Sequence, residues 1–298
     1  TNSLSISGLS VELMKDRQLM KRIELSNLSS DSLKIKDQKI LKDSNDPKEE
    51  SHLIAVIGMA GRFPKSDNVD QLWENLSQGK DLTELLPEDR TLINEYSSSS
   101  KVGIHNQKYI GGFVNNVADF DSGFFNINDE ETMVMDFNQR VILEETQHLL
   151  DNSGYDSSEI RGKNVGVFIA GEKTGFSKEN IDDFDSKEVK HYVVGQISNM
   201  ISARISHQFD LKGPSILINT ACSGSLVAIH QACDSIRSGD SEMAIAGGVF
   251  VSLHPNIQRS FKEAGVISPK GKMRVFDQDA DGIVLGEAAS LVLLKNYH

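Results

Sequence analysis

The residue whose type and setting most invite covalent chemistry is Cys222. It lies in PSILINTACSGSLVAIHQACDSIRSGDSEMAIAGGV, residues 214–249, which reads as strand, sharp turn, helix and strand. Cys222 falls where ILIN ends and SLVAIHQACDSIRSG begins, with Ala221, Gly224 and Ser225 small enough for backbone and substrate to approach closely. A thiol there faces the unpaired N–H groups and the positive end of a helix, which favour its thiolate. The same N–H groups, that of Cys222 included, can hold an oxyanion when an acyl group is attacked. Position alone leaves two readings open: a nucleophile, or a small thiol packed into a tight junction.

Other patterns point to less. Cys233 is eleven positions from Cys222 in the same helical stretch, roughly 16 Å along the axis, which exceeds the ~7 Å a disulfide spans. With apolar helical neighbours, it reads as a small core residue. None of the eight histidines forms an HxH or HExxH pair, so no metal is expected. Asp277, Asp279, Asp281 and Gly282 imitate the start of a calcium loop, but the twelfth position is Ala288 and Glu287 stands one place early. Gly58-Met-Ala-Gly61 and Gly171-Glu-Lys-Thr-Gly175 match neither phosphate-loop pattern and read as strand-exit turns. Gly247-Gly248 suggests close backbone packing beside the cysteine helix, for structure or for substrate access.

The elements that must position Cys222 begin near Leu53. Composition supplies the material: 298 residues, 38% hydrophobic and 25% charged, are enough for a large core. The runs 53–61, 164–171, 214–221, 243–251 and 290–295 are continuous, rich in Val and Ile, and suit strands covered on both faces. A mainly parallel buried α/β sheet is expected. Helices are expected over Val141 to Leu150, stopping at Asn152–Gly154, and over Ile197 to Ile205. Residues 1–50 differ, being rich in Ser, Lys and Asp, and read as a linker or docking tail ahead of a domain over 51–298. Leu9, Leu13, Met20 and Ile23 there follow a rough helical stripe, which suits a docking helix or a solvated tether.

Charge and hydropathy exclude some classes. With 31 basic against 43 acidic residues the net charge is −12, which argues against a phosphate-neutralising surface and so against nucleic acid. No stretch approaches the ~20 apolar residues of a membrane span, and TNSLSISGLS lacks the charged-then-apolar order of a signal peptide. A cytoplasmic protein is expected.

NTACSGSLVAIHQAC, preceded by GQISNMISARISHQFDLKGPS and followed by EMAIAGGV, resembles the active-site region of β-ketoacyl synthases, particularly ketosynthase domains of modular polyketide synthases. The resemblance extends through IAVIGMAGRFPKSDNVDQLWENLSQGKD (54–81), MDFNQRVILEETQHLLDNSGY and GVISPKGKMRVFDQDADGIVLGEAASLVLLK (265–295), from about residue 53 to the last residue. It implies a thiolase-like layered fold in which Cys222 takes an acyl chain from the phosphopantetheine arm of a carrier protein. A carbanion from a decarboxylating malonyl unit then attacks that thioester, a ping-pong scheme. Ala221, Ser223, Gly224 and Glu287 become candidates for substrate contact, Glu287 by orienting a catalytic Lys or His, unless it sits in a plain surface turn. No cofactor is expected to bind this chain itself. A dimer formed through the strand leading to the cysteine, around Ile216 to Asn219, is also implied.

The chain departs from the family's pattern. Asn219 stands where Asp is usual, Gly224 where Ser is usual, and Phe137 where Pro is usual. The family's two catalytic histidines and its later lysine belong downstream of the last residue, while His207, His230 and His254 sit in structural or surface contexts. This chain alone is therefore expected to lack the decarboxylating step, and a second polypeptide carrying the other half is the expected partner. The competing readings are a non-elongating acyl-transfer or scaffold module, and a thiolase-type or hydrolytic cysteine enzyme.

Overall fold

The computed structural model describes residues 53–87, 90, 109–174, 185–252 and 255–298. The tail stripe at Leu9 to Ile23 and His254 lie outside the described residues. Strands β1 (Ile54–Arg62), β4 (Val165–Ala170), β5 (Ser215–Ile218), β6 (Met243–Phe250) and β7 (Ala288–Asn296) form one sheet in the order β1-β7-β6-β4-β5, and the short β2 (Glu84–Leu85) and β3 (Ile110–Gly111) pair separately. The helices are α1 (Val69–Ser77), α2 (Asp129–Val134), α3 (Phe137–Ser153), α4 (Ser157–Ile160), α5 (Ser186–Gln196), α6 (Met200–Gln208), α7 (Gly224–Ser238) and α8 (Pro255–Glu263). Among the described residues, no helix is long and apolar enough to cross a membrane.

The sheet is mixed, which corrects the expectation of a mainly parallel one. Strands β6, β4 and β5 are parallel neighbours, whereas β7 runs antiparallel to both β6 and β1. An apolar run covered on both faces looks the same in either direction, so its composition carries no strand polarity. The parallel part is the part that carries the cysteine.

Alternation along each strand sends side chains to two different cores. Val165, Val167, Ile169, Met243, Ile245, Leu291 and Leu293 face α3 and α6, and join Val141, Ile142, Leu149, Leu150, Ile201 and Ile205 there. Phe168, Ala244, Ala246 and Leu294 face α7 and meet Ala228, Ala232 and Ile236. Helix α3 is buried on nearly every side, which suits its uninterrupted apolar and polar mixture; it ends at Gly154, whose φ of 75° is the left-handed cap expected there. The helix expected from Ile197 instead starts at Met200, because α5 runs to Gln196 and Ile197–Asn199 makes the corner. The strand expected to reach Ala221 stops at Ile218, where the Asn219–Thr220 turn begins.

Candidate active site

Three parallel strands end side by side, and the segment after β5 carries Cys222. A single 3-10 turn, Ala221–Ser223, leads into α7. Ala221 has φ of 51°, a left-handed conformation that costs a residue with a Cβ roughly 1–2 kcal/mol. The Asn219 carboxamide supports the turn, since its Oδ1 accepts the Ala221 N–H at 3.3 Å, while Ser223 Oγ donates to the Thr220 carbonyl at 2.8 Å. Cys222 is exposed, as are Ala221 and Ser223. Among the described residues nothing covers Cys222 at the junction to the extent of burying it.

Small residues let α7 descend onto the strand ends. A Cβ at Gly224 would stand 2.8 Å from the Ala170 Cβ at the end of β4, and one at Gly248 in β6 would stand 3.2 Å from the Ser225 Cβ. Gly224 is buried, and its missing Cβ shapes the seat of the helix. Gly248 thus serves the packing against α7 that its sequence suggested, whereas Gly247 is pressed against β7 at Ser290. Cys233, on the same helix, is half buried and packs against the core beneath α7, and burial pushes its thiol pKa up.

Glu287 is not in a surface turn. It is 4% exposed, and its Oε2 accepts from Arg90 Nη2 at 2.8 Å and from the Val114 N–H at 3.0 Å, while Oε1 accepts the Ser252 N–H at 2.9 Å. Burial pushes its pKa up, against the pull of Arg90 and the two backbone N–H groups. With both oxygens accepting from protein donors, Glu287 anchors the exit of β6. Arg90 lies 197 positions away and carried no signal in the sequence.

Residues at the start of α3 complete the surroundings. Asp136 caps the helix, taking the Asn138 N–H at 2.9 Å with one oxygen and both the Thr174 N–H and hydroxyl, at 2.8 and 2.7 Å, with the other. Its pKa is raised by burial, which those bonds and Arg140 oppose. Arg140 stacks over Phe137 at 4.5 Å, and its own pKa is lowered by burial to about 10. The Asn138 carboxamide donates to the Glu172 carbonyl at 2.7 Å and accepts the Val251 N–H at 3.1 Å. In sequence, MDFNQR stood out only through the departure at Phe137; the signal for Asp136 and Asn138 was a pair of polar residues placed just ahead of the helix VILEETQHLL.

Other sequence features fall away from this region's chemistry. His207 and His230 are exposed, the latter 3.3 Å from Asp234 on the same helix. Asp277 accepts the Asp279 N–H at 2.8 Å and Asp281 accepts from Ser268 Oγ at 2.6 Å, so these acids brace their own loop. Among the described residues, no three His, Cys, Asp or Glu side chains are grouped so as to hold a metal ion.

Cys222 is thus exposed on a left-handed turn between a parallel strand and a helix, within a layered α/β structure. The family described as beta-ketoacyl synthase, N-terminal domain, matches residues 51–298, and the chain belongs to that family. It is 39% identical over 242 residues to polyketide synthase PksM of Bacillus subtilis, covering 81% of this chain and 5% of that protein. It is 36% identical over 257 residues to erythronolide synthase EryA3 of Saccharopolyspora erythraea, covering 85% of this chain and 8% of that protein. Among solved structures, the oxazolomycin ketosynthase domain OzmH KS7 of Streptomyces albus JA3453 superimposes with a TM-score of 0.69 at 34% identity, over 81% of this chain and 43% of that one. The ketosynthase from module 6 of the bacillaene synthase of Bacillus subtilis 168 gives 0.67 at 32%, over 81% and 40%. The chain thus spans less than half of the ketosynthase domains it resembles and a small fraction of the assembly-line proteins.

Proposed function

We propose that this chain is the acyl-accepting portion of a ketosynthase that serves carrier-bound polyketide intermediates. The observation carrying this reading is the exposed Cys222 thiol on its left-handed turn at the foot of α7, within a chain of the β-ketoacyl synthase family. The Cys222 thiolate attacks the carbonyl carbon of an acyl-phosphopantetheine thioester. A carbon–sulfur bond to the enzyme forms, the bond to pantetheine breaks, and the departing pantetheine thiolate takes up a proton. The N–H of Cys222 is one arm of the hole that holds the oxyanion between these events. Ala221 and Ser223 flank the incoming acyl group.

Condensation then requires donors that stabilise the enolate as a malonyl unit loses carbon dioxide. We assign these donors to the C-terminal portion of a ketosynthase, supplied on this chain's own continuation or on a second polypeptide. The outer face of α7 suits such a covering, with Leu226 64% exposed on it. Among the described residues strand β5 pairs with β4 alone, and Ile216 on it is 40% exposed, which favours the dimer through Ile216 to Asn219.

The test is incubation with an acyl-carrier or acyl-pantetheine thioester followed by intact-mass measurement. One acyl mass should appear on the wild type, map to Cys222, and be missing from Cys222→Ala. Absence of acyl mass from the wild type would sink the reading. Once the C-terminal portion is added, carbon dioxide release from a malonyl carrier should follow; acylation without release would mark a transfer module that does not elongate.

A further inference from the structure

The Asn138 carboxamide has no duty within its own helix. Asp136 already caps α3, accepting the Asn138 N–H, yet the side chain of Asn138 is 1% exposed and fully committed elsewhere. Its two bonds leave α3 and reach the segments that follow β4 and β6. Nδ2 donates to the Glu172 carbonyl, two residues past the end of β4, and Oδ1 accepts the N–H of Val251, the residue after β6.

Those two exits are the ground on which the cysteine helix stands. Ala170 and Gly248 are register partners at the ends of β4 and β6, and they lie against Gly224 and Ser225, the first two residues of α7. The exits also reach the cysteine turn directly. The Gly171 N–H donates to the Ile218 carbonyl at the end of β5, and the Asn219 carboxamide donates to the Glu172 carboxylate at 3.4 Å while bracing Ala221. A change in the spacing of the two exits is passed to α7 and to the turn through packed contacts with no slack, because close-packed small residues have no rotamers with which to absorb it.

We infer that Asn138 is a positioning residue for Cys222, setting the separation of the β4 and β6 exits and thereby the height and direction of the thiol. A carboxamide is the group this task requires: one end must accept an N–H and the other must donate to a carbonyl, about 2 Å apart in a buried place. A carboxylate of the same shape accepts from Val251 but opposes the Glu172 carbonyl, and an alkyl group serves neither. The consequence for acyl transfer rests on the acyl-acceptor reading above, whereas the placement of the thiol does not.

Two rates measured on the full chain decide it. Alkylation by iodoacetamide, followed by peptide mass, reports Cys222, with the half-buried Cys233 eleven residues further along α7 as internal reference. Acyl loading from a pantetheine thioester reports the productive geometry. In Asn138→Asp the ratio of Cys222 to Cys233 alkylation should change by at least about fivefold, and the rate of loading at saturating thioester should fall by on the order of tenfold or more with KM little altered. Cys222 rates within about twofold of wild type, or Cys222 and Cys233 accelerating together as a loosened fold requires, overturn the inference. Where Asn138→Asp does not fold, Asn138→Ala removes both bonds without adding a charge, and the same ratio decides. A wild type that takes no acyl mass refutes the acyl-acceptor reading alone, since the alkylation ratio still tests the position of the thiol.

Discussion

The two faces of the central sheet are built from different residues and perform different tasks. Towards α3 and α6 the strands send Val, Ile, Leu and Met, and these interlock with the buried side chains of Val141 to Leu150. Towards α7 they send Phe168, Ile218 and Leu294 but also Ala244 and Ala246, with Gly248 near the end of β6, and the small residues of this face meet Gly224, Ala228 and Ala232. The first face removes much apolar area from water and carries stability. The second contributes less area but brings a helix close enough that its first turn sits on the strand ends. Stability and the presentation of the thiol are thus separable, and substitutions on either side should reveal it.

The largest loss of stability belongs to the large-residue face. Ile169→Ala, at a fully buried position, should lower the unfolding free energy by about 2–5 kcal/mol in urea titration, while acyl loading of the protein that remains folded changes little. A wild-type-like midpoint would break the contrast. On the small-residue face, Ala228→Leu should cost about 1–3 kcal/mol by overpacking, and it should depress acyl loading disproportionately because α7 is lifted with its cysteine. Loading that tracks only the folded fraction would show that the height of α7 does not matter.

Smaller effects sharpen the picture at the cysteine turn. Asn219→Asp sets a carboxylate against Glu172, and it should slow loading severalfold while stability moves by less than about 0.5 kcal/mol, the two residues being exposed. Adding Glu172→Gln restores a donor to the pair and should recover the rate; a double variant as slow as the single one removes Glu172 from the turn's support. The smallest effect is electrostatic and lies on the large-residue side. A hydrogen bond to Glu145 raises the pKa of His148 above its ordinary 6.5. A base with a raised folded pKa adds stability that is fully present below its unfolded pKa and is lost as pH rises through the folded value. With His148 more than half exposed, the gain should stay below about 1 kcal/mol between pH 8 and pH 5.5, and His148→Gln should abolish it.

Much of this was legible in the chain. The apolar runs marked five strands, and the helix after Cys222 followed from its spacing, because burial on both sides and helical periodicity are local patterns. The tight environment of Gly224 and Gly248 was also foreseeable, since only small residues permit close approach. Strand direction was not legible: β7 inserts antiparallel between β1 and β6, and no residue in SLVLLK announces it. Glu287 shows the other limit. In sequence it read either as a group orienting a catalytic Lys or His or as part of a plain surface turn, and it is a buried anchor because Arg90 and the N–H groups of Val114 and Ser252 converge on it.

The amino-acid order by itself determined the chemistry on offer: a thiol placed where a Val and Ile run gives way to a helix, small neighbours around it, and a family pattern spread over many segments. Tertiary structure decided which polar groups tie the surrounding segments together. Asp136, Asn138, Glu172 and Glu287 act on segments distant in sequence, and a buried carboxamide or carboxylate acquires its role only when the backbone groups it must satisfy are folded against it. Such partnerships depend on three-dimensional proximity, which residue type and spacing do not encode locally.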